Sequence, residues 1–265
     1  MVTCKLLGRT GNQMFQIAAT IGYAKKYGLE YHIPAHTQND EKWTPMFTHL
    51  ENKNYKPGLP KIKIEERGFS YNHLPAPPFK DCNIELSGYF QSHKYFDHCI
   101  VEVRKAFLLP YFQRKNSSAI HIRLGDYKKL QEFHPVVTKE YLKKAILYLY
   151  EKGNTEFIIF SDEIEGAKEM IQECFPNLEK ISPFLGLYDT ETRISFLFSD
   201  CLNEVSDLIS GSCCDHIIGS NSSFSLWMYY LNPNPDKIGI FPKRWFGPKL
   251  PHNTKDLYPE NCIII

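Results

Sequence analysis

The stretch His121-Ile122-Arg123-Leu124-Gly125-Asp126-Tyr127 decides how this chain is organised. The residues from Ser118 to Arg123 form an apolar run that predicts a short buried strand. That strand ends in an arginine, a glycine and a carboxylate, as strands of open α/β sheets do where they present polar groups to a ligand. The planar fork of Arg123 suits a phosphate, although Arg123 and Asp126 can equally pair with each other.

The composition is that of a globular protein with a substantial core. The chain has 265 residues, of which 43% are hydrophobic and 23% charged, so it can form one large domain or two smaller ones. Its net charge of +1 gives no sign of a nucleic-acid surface. No apolar run is long enough to span a bilayer, and Met1 leads into a predicted strand rather than a signal peptide. We therefore expect no nucleic-acid partner and no transmembrane segment.

The eight cysteines indicate a reducing compartment. None forms a C-x-x-C pair, and the adjacent Cys213 and Cys214 are poorly placed for a simple bridge. The final Cys262-Ile263-Ile264-Ile265 matches a prenylation box superficially, and an apolar tail is the better interpretation. We expect a cytoplasmic protein.

The N-terminal part predicts a strand, a glycine-containing loop, a helix and a second strand. A strand from Val2 to Leu7 leads into the loop Gly8-Arg9-Thr10-Gly11-Asn12. A helix follows from Gln13 to Tyr27, and Gly28 is a candidate for its C-cap. Nucleotide-binding folds begin in this way, but the loop contains neither G-x-G-x-x-G nor a Walker A sequence. The glycines alone favour an ordinary tight turn, and the polar Arg9 and Asn12 at the helix start add some support for a functional loop.

A domain boundary is predicted in the middle of the chain. Prolines interrupt residues 34–80, where we expect loops with short strands. A strand over 83–87 and a helix over 96–107 follow, and the polar residues around 108–117 then mark the boundary, which we place between residues 112 and 113.

The second half alternates strands with helices, which predicts a parallel, Rossmann-like sheet. After the central strand we expect a helix that begins after Thr138, a strand over 156–160, helices over 164–174 and 203–213, a strand over 215–219, a helix over 224–231 and a strand over 237–241.

Polar groups follow three of these strands, in the stretches His121 to Asp126, Ser161-Asp162 and Ser220 to Ser225. In a parallel sheet such strand ends lie at one edge. The last stretch opens a helix whose free N–H groups and dipole suit a phosphate, while N-capping is its simpler role. Because Arg123 lies at the same edge, we expect an anion site there. Asp162 can accept from the two adjacent N–H groups of guanine, or cap a helix.

Five motifs stand in a fixed order along the chain. They are Gly8-x-x-Gly11-Asn12-Gln13-Met14-Phe15-Gln16, Gly88-Tyr89-Phe90-Gln91, His121-Ile122-Arg123-x-Gly125-Asp126-Tyr127, Phe160-Ser161-Asp162 and Gly219-Ser220-Asn221-Ser222-Ser223-Phe224-Ser225-x-Trp227. In this order they resemble the motifs of alpha-1,2-fucosyltransferases, glycosyltransferase family 11, from near Leu6 to near Phe246. The first motif is also similar to that of protein O-fucosyltransferases, which belong to the same wider superfamily.

The resemblance implies a GT-B-like α/β enzyme with two Rossmann-like domains facing a cleft. Residues 1–112 would form the acceptor-side domain and residues 113–265 the GDP-fucose-binding domain. Such an enzyme transfers L-fucose from GDP-fucose to the 2-hydroxyl of a terminal galactose, with inversion and without a cofactor or essential metal. The expected partners are GDP-fucose and a galactose-terminated oligosaccharide, and a lipid-linked acceptor would bring peripheral contact with a membrane.

The resemblance also implies roles for individual residues. His121 and Arg123 are expected to hold the GDP portion, and Asp162 is expected to read guanine. The full donor-binding set is His121, Arg123, Asp162, Ser220, Asn221, Ser222, Ser223 and Phe224. Many relatives carry a second arginine where this chain has Leu124, so neutralisation of the pyrophosphate would rest on Arg123 and the helix N-terminus.

Catalysis is assigned by the same resemblance to Arg123, Asp126, Asn12 and Arg9, of which the last two approach the fucose from the N-terminal domain. The chain has no D-x-D sequence of the kind that holds a metal on a nucleotide diphosphate, and Pro34 separates His32 from His36. Three residues are candidates for the general base: Asp126, which we favour slightly, Glu132 and His134.

Two other functions stay open at this point. One is a protein O-fucosyltransferase, which the Gly11-Asn12-Gln13 turn and Arg9 support and the expected absence of a signal peptide opposes. The other is a non-catalytic module that binds a GDP-sugar or a glycan. The sequence does not identify the acceptor glycan, the oligomeric state or the source.

Overall fold

The computed structural model describes residues 1–34, 50, 53–79, 81–107, 113–182, 186–200 and 203–265. The chain divides into two compact units, one of residues 1–109 with 252–259 and the other of residues 110–251 with 260–265. Each unit contains its own sheet with helices, which confirms the expected α/β class. Within the described ranges, no helix is long and apolar enough to cross a membrane.

A four-stranded parallel sheet forms the centre of the first unit. Its elements are β1 (Val2–Cys4), α1 (Thr10–Tyr27), β2 (Tyr31–His32), β3 (Lys61–Glu65), β4 (Asn83–Ser87), 3-10 turns over His93–Tyr95 and Asp97–Cys99, and α2 (Ile100–Ala106). The strand order is β2-β1-β4-β3, and each neighbouring pair is parallel. The predicted strand–loop–helix–strand start is confirmed. Residues 35–49, 51–52 and 80 of the predicted loop region, His36 among them, lie outside the described residues.

Helix α1 begins three residues earlier than predicted. The carbonyl of Arg9 accepts from the N–H groups of Asn12 at 2.9 Å and Gln13 at 3.1 Å, so the predicted loop already contains the first turn. The helix ends at Gly28 in the left-handed conformation, with a φ of 63°, as its sequence predicts. Strand β1 is correspondingly shorter than predicted and ends at Cys4.

Residues 252–259 belong to the first unit, whereas the predicted first domain contains residues 1–112 alone. The Asp256 carboxylate accepts from the backbone N–H of Tyr71 at 3.1 Å and pairs with Lys94 Nζ at 2.6 Å. The hydrogen bond and charge of Lys94 lower the pKa of Asp256. The predicted boundary region of 108–117 falls partly on residues 108–112, which lie outside the described residues.

The second unit is built on an eight-stranded sheet in the order β12-β11-β10-β5-β6-β9-β8-β7. Its elements are β5 (Arg114–Ile122), a 3-10 turn over Gly125–Lys129, α3 (Lys139–Glu151), β6 (Glu156–Ser161), α4 (Ile164–Cys174), β7 (Leu178–Ser182), β8 (Gly186–Asp189), β9 (Ser195–Phe198), α5 (Glu204–Ser212), β10 (Cys214–Ile218), α6 (Ser223–Leu231), β11 (Gly239–Phe241) and β12 (Ile263–Ile264). From β12 to β9 every neighbouring pair is parallel.

The predicted parallel sheet carries an antiparallel edge in addition. Strands β7, β8 and β9 were not predicted, and β8 pairs with both of its neighbours in the antiparallel direction. The turn between β8 and β9 is held by the Asp189 carboxylate, which accepts from the backbone N–H of Thr192 at 3.0 Å. These strands have only four or five residues each, too few for a clear alternating pattern.

Burial of the central strands confines polar groups to the strand ends. Residues 117–122 of β5 are buried, and α3 and α4 contribute Leu142, Ile146 and Ile171 to the core cluster that also contains Ile120. The predicted cap of α3 is confirmed, because Thr138 Oγ1 accepts from the backbone N–H of Tyr141 at 3.2 Å. No two of the cysteines that the structure describes form a disulfide, and Cys201 lies outside the described residues.

Candidate functional site

The polar residues singled out in the second half of the sequence lie at the carboxyl edge of the second sheet. Strand β5 ends at Ile122, β6 at Ser161 and β10 at Ile218. Because β5 pairs in parallel with both β6 and β10, the residues that follow these three strands meet at one edge.

Arg123 is held between two carboxylates. Its Nη2 and Nε donate to Asp126 Oδ1 at 2.7 Å and 3.2 Å, and its Nη1 lies 3.0 Å from Asp162 Oδ2. The guanidinium also lies over the ring of Tyr127, 5.7 Å from the centroid. The pair with Asp126, treated above as the alternative to phosphate binding, is therefore present, and the pair with Asp162 was not predicted. One positive charge faces two negative ones, so this cluster does not by itself attract an anion.

Asp162 also fixes the turn that follows β5. Its Oδ1 accepts from the backbone N–H of Leu124 at 2.9 Å. A Cβ on Gly125 would lie 2.2 Å from Asp162 Oδ2, so the close approach of the carboxylate requires glycine there. The alternative role of Asp162 as a helix cap is not seen, since Glu163 holds the N-cap position of α4 without a side-chain bond. An ionised carboxylate has about four acceptor positions, so these contacts leave capacity for a ligand.

His121 is a neutral, buried group. Its Nδ1 lies 2.7 Å from Ser225 Oγ, and its ring centroid lies 4.9 Å from that of Phe224. Burial, and to a smaller degree the charge of Arg123, lower the pKa of His121 to about 3. The imidazole is therefore uncharged at neutral pH and joins β5 to the first turn of α6 by a hydrogen bond.

The serines around the start of α6 have structural partners. Ser220 Oγ donates to the carbonyl of His121 at 2.7 Å and accepts from the backbone N–H of Arg123 at 2.9 Å, which ties β10 to β5. Ser222 caps α6, since its Oγ accepts from the N–H of Phe224 at 3.3 Å. The N-capping role considered for this stretch is thus present at Ser222. Ser223 is the first residue of the helix and is half-buried.

Asn221 links the start of α6 to the segment that follows β11. Its Nδ2 donates to the backbone carbonyl of Trp245 at 2.8 Å, and the backbone carbonyl of Asn221 accepts from the hydroxyl of Tyr127 at 3.1 Å. Neither Trp245 nor Tyr127 was singled out as a partner of Asn221 by the sequence analysis. This one residue therefore joins the central stretch, α6 and the segment after β11.

The three candidates for the general base lie in different surroundings. Asp126 accepts from Arg123, whereas Glu132 is exposed and pairs with Lys249. His134 stacks on Tyr127 with the ring centroids 5.2 Å apart, and burial lowers its pKa, so its imidazole is neutral at pH 7. Asp126 is the candidate that contacts Arg123.

An open groove of about 410 Å³ lies beside Leu124, between the central stretch and the helices α3 and α4. Its volume falls in the range of ligand pockets. Two lysines line it, but Lys128 pairs with Glu163 and Lys139 pairs with Glu173. The groove therefore adds no uncompensated positive charge to this edge.

In the first unit, the glycine loop is held by side-chain amides. Gly8 has a φ of 72°, and a Cβ on it would lie 2.5 Å from Asn12 Nδ2, so glycine is required. Gln13 Nε2 donates to the Gly8 carbonyl at 2.8 Å. Gln16 bonds both the N–H and the carbonyl of Leu7, at 2.8 Å and 3.1 Å. The two glutamines of the first motif thus fix the loop that carries Arg9 and Asn12.

The second motif contacts the same loop through Gln91. Gln91 Nε2 donates to Asn12 Oδ1 at 2.6 Å, which orients the side chain of Asn12. The turn before Gln91 is strained, with a φ of 51° at Phe90, and the Glu66 carboxylate accepts from the N–H groups of Tyr89 at 2.7 Å and Phe90 at 3.0 Å. Burial raises the pKa of Glu66. Glu66 was missed because it lies outside the motifs and bonds residues more than twenty positions away.

Arg9 is exposed and stands at the N-cap position of α1. Of the predicted residues, the second unit brings together His121, Arg123, Asp126, Asp162 and the stretch 220–225, and the first unit brings Asn12 to Gln91. Each unit therefore presents a polar loop at the end of its first strand.

Comparison with known proteins gives consistent matches. The model of the family described as Glycosyl transferase family 11 matches residues 1–261. The chain is similar to the O-antigen biosynthesis glycosyltransferase WbnK of Escherichia coli, with 26% identity over 206 residues, 66% of this chain and 63% of that protein. It is also similar to an alpha-1,2-colitosyltransferase of Escherichia coli, with 29% identity over 198 residues, 69% of this chain and 63% of that protein.

The match to these two curated relatives spans 63% of the length of each. Among solved structures, a crystal structure of POFUT1 in complex with GDP-fucose has a TM-score of 0.46 and 14% sequence identity. That comparison covers 91% of this chain and 96% of the POFUT1 chain.

Proposed function

This chain belongs to glycosyl transferase family 11, and from that premise we propose that it transfers L-fucose from GDP-fucose to the 2-hydroxyl of a terminal galactose in a glycan. The names of both curated relatives describe glycosyl transfer, one in O-antigen biosynthesis and one with an alpha-1,2 linkage. The observation that carries the proposal is the polar edge of the second sheet, where the central stretch, Asp162 and the start of α6 meet.

The donor is proposed to bind at this edge. Arg123 and the backbone N–H groups at the start of α6 face the diphosphate, and Asp162 reads guanine with its remaining acceptor capacity. His121, Ser220, Asn221, Ser222, Ser223 and Phe224 form the rest of the donor site. The neutral imidazole of His121 holds Ser225, and therefore α6, in place against β5.

Transfer with inversion needs positive groups beside the leaving diphosphate and an oriented acceptor hydroxyl. We assign the first task to Arg123 and the second to Asp126, the candidate base that contacts Arg123. Asn12, oriented by Gln91, and the exposed Arg9 are proposed to contact the fucose. No essential metal or cofactor is proposed, because the chain lacks a D-x-D sequence.

The sugar is the least constrained part of the proposal, since one relative is named for colitose. The test is release of GDP from GDP-fucose and from GDP-colitose, each with and without a panel of β-galactosides. We expect release that depends on both GDP-fucose and a β-galactoside. Binding without release would indicate a non-catalytic module, and transfer to a serine or threonine peptide would indicate a protein O-fucosyltransferase.

A further inference from the structure

The cluster of Arg123, Asp126 and Asp162 at the carboxyl edge of the second sheet carries no net positive charge for a diphosphate. The charge of Arg123 is compensated twice over by Asp126 and Asp162. Ser222 already caps α6, which satisfies one of the N–H groups that would otherwise face an anion. A diphosphate placed beside this cluster would meet two carboxylates at close range, so further cations must lie nearby.

The sheet register places one such cation beside the cluster. In the paired strands, Ile218 of β10 lies opposite Ile120 of β5 and Ile240 of β11. Three residues beyond these partners the chain reaches Asn221, Arg123 and Lys243, respectively. Neighbouring strands are about 4.8 Å apart, so the ends of β5 and β11 stand roughly 10 Å apart on either side of β10, the strand that leads into α6. Arg123 follows β5 and Lys243 follows β11, so they leave the sheet on opposite sides of β10.

Lys243 and Arg244 differ from Arg123 in their charge environment. Both side chains are exposed, and in the part of the chain that the structure describes neither forms an ion pair. Arg244 Nε donates to the carbonyl of Phe246 at 3.4 Å, within its own turn. These two residues therefore bring two positive charges to this edge that no carboxylate among the described residues pairs with.

The backbone that carries these cations is held in place. The N–H of Lys243 donates to the carbonyl of Ile265 at 2.7 Å. One residue after Arg244, the carbonyl of Trp245 accepts from Asn221, which belongs to the α6 start itself. The bond to Asn221 fixes the distance between the cation pair and the N-terminus of α6.

We propose that Lys243 and Arg244 bind the diphosphate of the donor and supply the net positive charge that the Arg123 cluster lacks. The inference rests on the proposed function, because it names further residues of the same donor site. Arg123, whose guanidinium is fixed by its two carboxylates, then orients the diphosphate. Lys243 and Arg244 supply the net positive charge. Loss of Lys243 and Arg244 should weaken the binding of every ligand that carries a diphosphate.

The test is isothermal titration of the full chain with GDP, GMP and inorganic pyrophosphate. The variant is K243Q/R244Q, and the control is K143Q/K144Q, an adjacent exposed pair on α3 that changes the net charge equally. We expect K243Q/R244Q to weaken GDP and pyrophosphate about tenfold or more and GMP about threefold or less, because charge-assisted hydrogen bonds to the β-phosphate are lost. The control should change each affinity less than about twofold. The exchange variant K243R/R244K should bind GDP within about threefold of the parent chain.

The outcomes separate the inference from the proposed function. Parent-like binding of GDP by K243Q/R244Q, with a parent chain that binds GDP, overturns the inference alone. Equal binding of GDP and UDP, both weakened by K243Q/R244Q, supports the charge site and overturns the guanine assignment. A parent chain that binds neither GDP nor pyrophosphate overturns both. Equal loss in K243Q/R244Q and K143Q/K144Q would show a general charge effect and also overturn the inference.

Discussion

The loops that follow the first strand of each unit are held in opposite ways. The loop after β1 is fixed by neutral amides, those of Gln13, Gln16 and Gln91. The turn after β5 is fixed by charges, with Arg123 between Asp126 and Asp162. An amide network responds little to salt or pH, whereas a partly buried ion cluster depends on every one of its members. The difference shows that similar strand–loop–helix geometry can be stabilised with or without charge.

Among the residues that hold the two loops, Arg123 should have the largest effect on activity when it is replaced. Lysine keeps the charge but cannot bond two carboxylates and a ligand through a planar fork, so we expect Arg123→Lys to lower kcat by about 10²–10³. Arg123→Ala should do the same and should also lower Tm, because it leaves two carboxylates facing each other. Steady-state kinetics and thermal unfolding are measured on each, with the exposed Arg67→Lys as control. A lysine variant with near-parental kcat, or an unfolded alanine variant, would defeat the assigned role.

The charged edge should also respond to pH through His121. Its pKa is lowered by burial from 6.5 to about 3, so below pH 6.5 the unfolded chain binds a proton that the folded chain does not. The stability present above pH 6.5 should therefore fall by about 2 kcal/mol between pH 6.5 and 5.

Chemical denaturation across this pH range measures the loss attributed to His121. The variant His121→Gln should lack this part of the decline, while His98→Gln, a change in the first unit, should retain it. An unchanged pH dependence in His121→Gln would show that the imidazole is not buried in its neutral form.

Asp162 offers a smaller test, because it holds Arg123 and is also proposed to read the base. Guanine presents two adjacent N–H donors, so the parent chain should bind GDP at least about tenfold more tightly than UDP or ADP. In Asp162→Asn the affinity for GDP should fall toward the affinities for UDP and ADP. The affinity for pyrophosphate should change less. Equal affinities of the parent chain for GDP, UDP and ADP would contradict the assignment of guanine recognition to Asp162.

The smallest effect is expected in the loop after β1, which neutral amides hold. Gln91→Ala removes the amide that orients Asn12, and we expect kcat to fall about fivefold, since one neutral hydrogen bond is worth roughly 1 kcal/mol. Because no charge is lost, the ratio of parent to variant kcat should be the same at low and high salt. Gln172→Ala, an exposed glutamine on α4, serves as control. A ratio that changes strongly with salt would contradict the neutral character of this loop.

Local sequence signals predicted the elements that local contacts form. The bounds of α4 agree with the predicted 164–174, and both the Thr138 cap and the Gly28 terminus are confirmed, since helical periodicity and capping involve neighbouring residues. The order of strands and helices from residue 113 onward was largely predictable for the same reason. The antiparallel edge formed by β7, β8 and β9 was not, because short strands carry little periodicity.

Partners distant in sequence were beyond prediction. The motifs placed Arg123, Asp126 and Asp162 in one site, but a single sequence does not show that Asp162 bonds both Arg123 and Leu124. Glu66 and the return of residues 252–259 to the first unit are likewise fixed by contacts made only after folding. The sequence therefore predicted which polar residues lie close together better than it predicted the bonds between them.

Identification of the reaction product is the decisive test of the proposed fucosyl transfer. The parent chain is incubated with GDP-fucose and a terminal β-galactoside in the presence of excess chelator, and the linkage in the product is determined by nuclear magnetic resonance. We expect fucose in alpha linkage to the 2-hydroxyl of galactose, with one GDP released for each fucose transferred. A different linkage, activity that returns only with added Mg²⁺ or Mn²⁺, or no transfer to any galactoside would contradict this proposal.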